Sequence, residues 1–346
     1  MSHVPPVVYR TPLTTRFRGL DARDGLLLRG DAGWGEFSPF WDYDDAECVP
    51  WLRAAREAAD DGWPDPVRTA VPVNVTVPAV GPDSARAIVA ASGGCRTAKV
   101  KVAQRDAQGR PEPLADEVAR LEAVRDALGP GGRVRVDANG AWDPDDALRR
   151  LPHLDRAAGG LEYVEQPCAD VPGLAAVRRG QHGDTAVPVA ADESVRRAED
   201  PLAVVRADAA DVVVLKVQPL GGVRACLDLA AQVGVPVVVS SALETSIGIA
   251  AGVALAAALP DLPYACGLAT VQLLAADVTA APLLPVGGTL SVLRPEPSPA
   301  GLAVTRADED VEHRWLDRLA RVESLGRPVR GGASGVRVAG VEGGDR

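Results

Sequence analysis

The stretch RVRVDANGAWDPDDALRRLPHLDRAAGGLEYVEQP, residues 133–167, contains one complete strand–helix–strand unit. Residues 134–137 and 161–165 are short, nearly continuous apolar runs, which is typical of parallel strands buried on both faces. Residues 144–151, between them, have the period of a helix. The stretch therefore predicts one βαβ unit, and each of its two strands ends on an acidic residue.

The same alternation continues on both sides of this unit. Further short runs predict strands, with residues 73–77 as the first and residues 264–268 as the last: 98–102, 187–190, 212–216 and 235–240. Stretches with the helical period predict helices at 113–128, 222–233 and 247–258. Strand and helix in strict alternation predict a parallel α/β sheet.

The residues at the ends of these strands favour a closed barrel over an open sheet. An open sheet forms its ligand crevice from the few strands beside the point where the strand order reverses, whereas a barrel brings every carboxyl-terminal strand end to one mouth. Six consecutive predicted strands end on or next to a charged or hydroxyl residue: Lys101, Asp137, Glu165, Asp192, Lys216 and Ser240. The sequence therefore predicts a TIM-like barrel over residues 71–289.

The segments that flank the predicted barrel look different. Short strands at 7–9, 26–29 and 34–37 and a helix at 46–60 predict a small α+β capping domain over residues 1–70. Residues 290–326 are predicted to return to that domain. Residues 327–346 are rich in Gly, Arg and Val without a clear period, which predicts a flexible tail.

Composition limits the class of protein. The chain has 346 residues, 47% of them hydrophobic, and a formal charge of −10, which argues against a nucleic-acid partner. Its five cysteines form no C-x-x-C pair, so a disulfide framework or a zinc site is not expected. No secretory signal and no membrane-spanning stretch is recognisable, and we expect a cytoplasmic protein without a membrane partner. A monomer is compatible with the sequence, which does not determine the oligomeric state.

Three acidic residues predict a metal site. Asp137, Glu165 and Asp192 are 28 and 27 residues apart, about one strand–helix unit each, so they lie on three neighbouring strand ends. Three carboxylates at one point repel one another unless a hard cation neutralises them, and Mg²⁺ prefers oxygen ligands. The pattern favours Mg²⁺, with Mn²⁺ as a substitute, over three unrelated solvated acids.

Lysine is the second chemical signal. The chain contains only three lysines, Lys99, Lys101 and Lys216, and each lies at a predicted strand end. Lys99 and Lys101 share one face of a strand because side chains alternate with a period of two. Arginine stays protonated, whereas a lysine can serve as a base. The pattern favours a catalytic role over a pair of solvated basic residues on an edge strand.

The order of these motifs, Lys-x-Lys, Asp-Ala-Asn, Glu-Gln-Pro, Asp-Glu-Ser and a final Lys, resembles the muconate-lactonizing-like branch of the enolase superfamily. The resemblance covers most of the chain and implies a (β/α)7β barrel with a capping domain formed from both termini. It also implies proton removal beside a carboxylate by a lysine, with magnesium stabilising the enediolate.

The resemblance assigns a role to each residue of this constellation. It implies that Asp137, Glu165 and Asp192 bind Mg²⁺. Lys101 would remove the α-proton and return it to the departing hydroxyl, and Lys99 would lower the pKa of Lys101 by like-charge repulsion. Lys216, on the opposite side, would stabilise the enediolate.

Three further segments, residues 71–79, 97–102 and 240–248, resemble the actinobacterial o-succinylbenzoate synthase family within that branch. This implies syn dehydration of 2-succinyl-6-hydroxy-2,4-cyclohexadiene-1-carboxylate to o-succinylbenzoate in menaquinone biosynthesis. N-succinylamino-acid racemases and dipeptide epimerases share the catalytic residues and stay open as alternatives, as does a non-catalytic barrel that only binds. A sugar-acid dehydratase is disfavoured because it needs histidine bases late in the barrel, and no histidine lies between His182 and His313.

Other residues carry weaker signals. Hydroxyl or backbone donors at the last strand ends are candidates for binding a succinyl carboxylate: Ser240, Ser241 and Gly267. Asn139 and Glu193 are candidates for orienting the metal ligands. Aromatic residues of the capping domain are expected either to cover the substrate or to pack in a core: Phe17, Trp34, Phe37, Phe40 and Trp41. The four histidines fit no ligand spacing and are expected on the surface or in structural positions: His3, His153, His182 and His313.

Overall fold

The chain begins with an antiparallel sheet. A computed structural model describes residues 4–106, 108–181 and 186–326. Its first three strands, in sheet order β1-β2-β3, are β1 (Val7–Phe17), β2 (Leu20–Arg29) and β3 (Trp34–Phe37). Helix α1 (Val49–Arg56) follows and continues into one π-helical turn, Glu57–Asp61. The first two strands are longer than predicted, because strands with one solvated face also accept alternating polar residues.

The predicted parallel sheet is present, with seven strands in strictly sequential order. They are β5 (Val75–Val77), β6 (Thr97–Lys101), β7 (Arg133–Asp137), β8 (Leu161–Glu165), β9 (Val189–Ala191), β10 (Val212–Leu215) and β11 (Val237–Val239). A short strand before them, β4 (Ala70–Pro72), pairs instead with β12 (Thr289–Ser291). Sequential neighbours throughout are the arrangement of a barrel wall.

Helices connect the strands on the outside of this wall. They are α2 (Pro82–Ala90), α3 (Leu114–Leu128), α4 (Pro144–Ala158), α5 (Val171–Gly180), α6 (Glu193–Arg196), α7 (Ala203–Arg206), α8 (Val217–Leu220), α9 (Val223–Val233) and α10 (Ser246–Ala258), followed by a 3-10 turn, Ala269–Leu273. Apolar side chains between strands and helices form the largest core of the described residues. No described helix is long and apolar enough to cross a membrane.

The last predicted barrel strand, residues 264–268, is reduced to two isolated bridges. Cys266 pairs with Val73 and Gly267 pairs with Ser240, both in parallel. The amide of Asn74 donates to the carbonyl of Cys266 at 2.9 Å, and that of Gly267 to the carbonyl of Val239 at 2.8 Å. This short segment therefore links β11 to the chain just before β5 and closes the ring.

The C-terminal segment packs on the antiparallel sheet. It contains α11 (Pro299–Val304) and α12 (Glu309–Gly326). Trp315 of α12 is fully buried, and its ring meets the edge of Phe37 at 5.9 Å between centroids. Arg318 donates hydrogen bonds to the carbonyls of Phe40 and Tyr43 at 3.1 and 2.6 Å. We call residues 7–61 together with α12 the cap. The predicted boundaries at residues 70 and 289 stay predictions, and the predicted tail, 327–346, lies outside the described residues.

Candidate active site

The strand ends bring the predicted chemical residues together. Lys101, Asp137 and Glu165 are the last residues of β6, β7 and β8, and they are direct neighbours in the sheet register. Asp192 and Lys216 follow β9 and β10 immediately. All five side chains are buried. Lys99 is buried two residues before Lys101, on the same face of β6.

Each of the three carboxylates is paired with a lysine ammonium group. Lys99 Nζ lies 2.6 Å from Glu165 Oε1 and 2.9 Å from Asp137 Oδ2. Lys101 Nζ lies 2.6 Å from Asp137 Oδ2, and Lys216 Nζ lies 2.6 Å from Asp192 Oδ2. The predicted metal ligands and the predicted catalytic lysines therefore form one continuous cluster of charges.

Charge compensation within this cluster is uneven. Burial opposes ionisation of Asp137, but Lys101 and Lys99 hold the pKa of that carboxyl well below its usual range. Burial likewise opposes ionisation of Asp192, and Lys216 and Arg196 hold its pKa low. For Glu165, burial wins over the attraction of Lys99, and the repulsion from Asp137 and Asp192 helps raise its pKa to about 7. Glu165 is therefore the carboxylate of the three that most lacks positive charge.

The pKa values of Lys99 and Lys216 are also shifted. Burial acts to lower the pKa of Lys99, but the carboxylates of Asp137 and Glu165 outweigh it and raise that pKa well above the usual value. The pKa of Lys216 is lowered, mainly by burial, with Arg196 adding to the effect and Asp192 opposing it. The pKa values of Lys99 and Lys216 are therefore shifted in opposite directions.

The donor set fits a hard divalent cation. Within the described ranges no three acidic, histidine or cysteine side chains converge closely enough to hold a metal as they stand. The lysine ammonium groups pair with the carboxylates in this arrangement. Glu193 Oε2 is buried and has no hydrogen-bond partner among the residues that the structure describes, and the charge of Glu165 is not fully compensated. Three buried carboxylate groups at neighbouring strand ends, of which Glu165 lacks compensating positive charge, are the oxygen ligands that Mg²⁺ prefers.

A cavity that is partly open to solvent lies beside this cluster. Lys99, Lys101 and Lys216 line it from the barrel. Ser240, Ser241, Gly267, Asp137 and Asn139 also line it. The sequence missed five further lining residues: Arg18, Thr76, Ala242, Leu243 and Thr270. The only signal for Arg18 was its place beside Gly19 in a turn between two cap strands.

The cap contributes two aromatic side chains to the cavity. The ring of Phe17 lies 5.4 Å from Lys101 Nζ. The ring of Phe40 lies beside the guanidinium groups of Arg18 and Arg23, whose Cζ atoms are each 4.4 Å from its centroid. The other predicted aromatic residues do not line the cavity: Phe37 and Trp41 pack against Trp315, and Trp34 lies beside Arg29.

Asn139 and Glu193 contact the cluster, as their predicted role requires. Asn139 Oδ1 accepts a hydrogen bond from Lys101 at 2.6 Å, and the backbone amide of Asn139 donates to Asp137 at 3.0 Å. Asn139 Nδ2 donates to Glu193 at 3.3 Å. Arg196, which the sequence analysis missed, donates to Asp192 at 3.0 Å, and its spacing of four residues on a helical turn was the available signal. His153 and His313 do not line the cavity, and His3 and His182 lie outside the described residues.

The cap holds the loop that forms one wall of the cavity. The buried side chain of Arg23 donates to the carbonyl of Leu243 at 3.0 Å. Glu36, also buried, accepts from the amides of Thr245 and Gly248 at 3.1 and 3.0 Å. Leu243 has a φ of 64°, which a non-glycine residue adopts only when its surroundings hold it there. Cap and barrel are therefore coupled directly at the cavity wall.

Glu244 in this loop predicts a pH-dependent stability. Burial, with the repulsion of Glu36, raises the pKa of Glu244 to about 7. Between about pH 4.5 and about pH 7, Glu244 is protonated in the folded protein and ionised in the unfolded chain. The free energy of unfolding therefore falls as pH rises through this range. Glutamine does not ionise, so we expect Glu244→Gln to escape this loss. Its free energy of unfolding relative to the wild type should rise by up to about 3 kcal/mol from pH 5 to pH 8, measured by urea unfolding at both pH values. Glu312→Gln, on the exposed face of α12, is the control, and an equal pH dependence of both variants would contradict the assignment.

Comparison with known proteins agrees with this geometry. The enolase C-terminal domain-like family matches residues 82–311, and the enolase N-terminal domain-like family matches residues 8–59. The o-succinylbenzoate synthase of Thermobifida fusca is 63% identical over 321 residues, 93% of this chain and 96% of the relative. That of Mycolicibacterium smegmatis is 49% identical over 318 residues, 92% of this chain and 95% of the relative.

A solved structure shows the same fold. Muconate lactonizing enzyme from Pseudomonas fluorescens, complexed with muconolactone, superposes with a TM-score of 0.73 at 22% identity, over 87% of this chain and 98% of that one. The predicted barrel with a cap is thereby confirmed. The chain belongs to the enolase superfamily and, within it, to the family of the actinobacterial o-succinylbenzoate synthases.

Proposed function

We propose that the chain is an o-succinylbenzoate synthase, a hydro-lyase that removes water from 2-succinyl-6-hydroxy-2,4-cyclohexadiene-1-carboxylate in menaquinone biosynthesis. The observation that carries the proposal is the buried cluster in which Lys101 lines a cavity beside three carboxylates. The 63% identity to a relative of that name over nearly the whole chain supports the same reaction. A cytoplasmic setting fits five buried free cysteines.

Lys101 is the proposed base. In its neutral form its Nζ takes the proton from the carbon beside the substrate carboxylate. The same Nζ then gives that proton to the hydroxyl that leaves from the neighbouring position of the ring, so that one water molecule departs and the ring becomes aromatic. One lysine serves both steps if proton and hydroxyl lie on the same face, which makes the elimination syn. Asn139, which contacts Lys101 at 2.6 Å, orients the amine.

Asp137, Glu165 and Asp192 are the proposed Mg²⁺ ligands, with Mn²⁺ as a substitute. Mg²⁺, when bound there, would hold the substrate carboxylate and stabilise the negative charge that proton removal places on it. Lys216 lines the cavity and would add positive charge to the same developing anion. The raised pKa of Glu165 supports this site, because Lys99 does not fully offset the burial of Glu165 and the repulsion from Asp137 and Asp192.

The remaining lining residues suit a ring that carries a second carboxylate. Phe17 and Phe40 offer apolar surface for the ring. Ser240, Ser241 and the backbone at Gly267 are the proposed donors to the succinyl carboxylate. Phe17, Arg18 and Phe40 of the cap cover part of the cavity, and the reduced access of water would strengthen the electrostatic interactions inside it.

Racemisation of N-succinylamino acids is a second candidate, as is dipeptide epimerisation, because Lys101 and Lys216 both line the cavity. The purified chain with Mg²⁺ should be assayed on the cyclohexadiene substrate, by loss of diene absorbance, and on N-succinyl amino acids, by polarimetry. We expect kcat/KM to be larger for dehydration. Fast racemisation with negligible dehydration would replace the first proposal with the second, and no reaction with either substrate would favour a barrel that only binds.

A further inference from the structure

Two charged side chains of α3 are buried against the strand that carries Lys101. Glu117 is 0% exposed and Arg120 is 3% exposed. They are three residues apart, so they lie on the same face of the helix. Charged residues on a barrel helix normally face water, and a buried charge is costly unless its hydrogen-bonding groups are satisfied. The partners of this pair show what its burial achieves.

Arg120 binds the backbone of Lys101 itself. Its Nη1 donates to the carbonyl oxygen of Lys101 at 2.9 Å, and its Nε donates to the carbonyl oxygen of Val80 at 2.7 Å. Glu112 accepts from the same guanidinium. The neighbouring strand β5 ends at Val77, and the next residue, a proline, has no N–H to donate. The guanidinium therefore links two backbone segments, one at Lys101 and one at Val80, where the pairing of β5 and β6 ends.

Glu117 binds the backbone two residues beyond Lys101. Its Oε1 accepts from the amide of Ala103 at 2.6 Å, and its Oε2 accepts from Arg150 of α4 at 2.7 Å. Ala103 has a φ of 60°, in the left-handed region that residues other than glycine seldom adopt. The hydrogen bond that the amide of Ala103 donates to Glu117 thus holds the chain in a turn that is unfavourable on its own.

We propose that Arg120 and Glu117 are positioning residues that fix the Lys101 amine at the substrate. They hold the backbone at Lys101 and at Ala103 and so fix the position of the Cα atom from which the Lys101 side chain extends. Proton transfer depends steeply on distance, and a displacement of about 1 Å can cost a factor on the order of 10² in rate. The inference rests on the proposed role of Lys101 as the base.

The variant Arg120→Met tests this directly, because methionine keeps the apolar stem and removes the donors. Arg125→Met is the matched control: Arg125 lies on the same helix and donates to the carbonyl of Gly132 at 2.8 Å, at the opposite end of the barrel strands. In the full-length chain with Mg²⁺ we expect Arg120→Met to lower kcat by about 10-fold to 100-fold with KM changed by less than about threefold. Arg125→Met should keep the wild-type kcat.

A Mn²⁺ titration of the same proteins separates positioning from a general disturbance of the site. We expect Arg120→Met to keep the wild-type Mn²⁺ affinity, because it does not touch the three carboxylates. A wild-type kcat in folded Arg120→Met, or a parallel loss of kcat and Mn²⁺ affinity, would overturn the inference. If the wild type itself neither dehydrates the cyclohexadiene nor exchanges an α-proton, the proposed function fails instead.

A second pair of variants covers the case in which Arg120→Met does not fold. Glu117→Gln keeps an oxygen that can accept from the amide of Ala103, whereas Glu117→Met does not. We expect Glu117→Gln to retain most of kcat and Glu117→Met to lose about 10-fold or more at unchanged KM. Equal kcat values for the two variants would contradict the positioning role.

Discussion

Lys101→Arg is expected to lose dehydration activity by a factor on the order of 10⁴, although it keeps the positive charge. Arginine can still bind Asp137 and Asn139, which lie 2.6 Å from the lysine amine in the wild type. It cannot act as a base, because its guanidinium stays protonated at every working pH. Lys101→Ala removes both the charge and the amine and should be equally inactive.

The measurement is kcat for the cyclohexadiene substrate, together with deuterium incorporation at the α-carbon of unreacted substrate in deuterated water. If the amine served only as a positive charge, Lys101→Arg would stay active while Lys101→Ala would not, which would contradict general-base catalysis. Circular dichroism and Mn²⁺ binding of both variants verify that the fold and the metal site remain.

Glu165→Gln is expected to weaken Mg²⁺ binding by at least about 100-fold, since even residues that only support metal ligands cost about 10-fold to 100-fold when replaced. Glutamine has the same shape but no charge. Asp211→Asn is the control of equal charge change: Asp211 precedes β10, at the other end of the barrel, and pairs with Arg178. Calorimetric titration with Mg²⁺ gives the affinities. Equal weakening by both variants would show a general charge effect rather than a ligand.

The same site predicts a pH dependence of metal binding. Because the pKa of Glu165 is raised to about 7, this carboxyl is protonated below neutral pH and must lose its proton when a cation binds. Mg²⁺ affinity of the wild type should therefore rise between pH 6 and pH 8, with proton release, whereas that of Glu165→Gln should change much less. An affinity of the wild type that does not change over this range would argue against Glu165 as a ligand.

The barrel could be predicted because its strands carry an unambiguous signal. Strands β7 and β8 are largely buried on both faces and rich in apolar residues, although Arg135 and Glu162 interrupt the apolar runs, and each strand ends on a predicted metal ligand. The segment near Cys266 that closes the ring was predicted as a strand, and the sequence did not show that only two isolated bridges form there. Its apolar residues have the composition of a strand, and only the completed ring determines how much of it pairs.

The chemical residues were predictable for a related reason, and their supports were not. Asp137, Glu165 and Asp192 recur with the period of the strand–helix unit, which places them at one mouth. Arg18 reaches the cavity from a cap turn far away in the sequence, and no local pattern encodes that contact. Glu117 and Arg120 look like ordinary charges of a solvated helix, because the sequence does not show which helical face meets the sheet.

The packing of Trp315 against Phe37 has a consequence for how the protein forms. The cap joins strands near residue 30 to a helix near residue 315, so its contacts are among the most distant along the chain. During synthesis the apolar face of those strands stays exposed until nearly the whole chain has been made. Such distant contacts slow folding, and the exposed apolar surface favours aggregation. Since Phe17, Arg18 and Phe40 of the cap also line the cavity, we expect the cavity to be complete only after that late helix has docked.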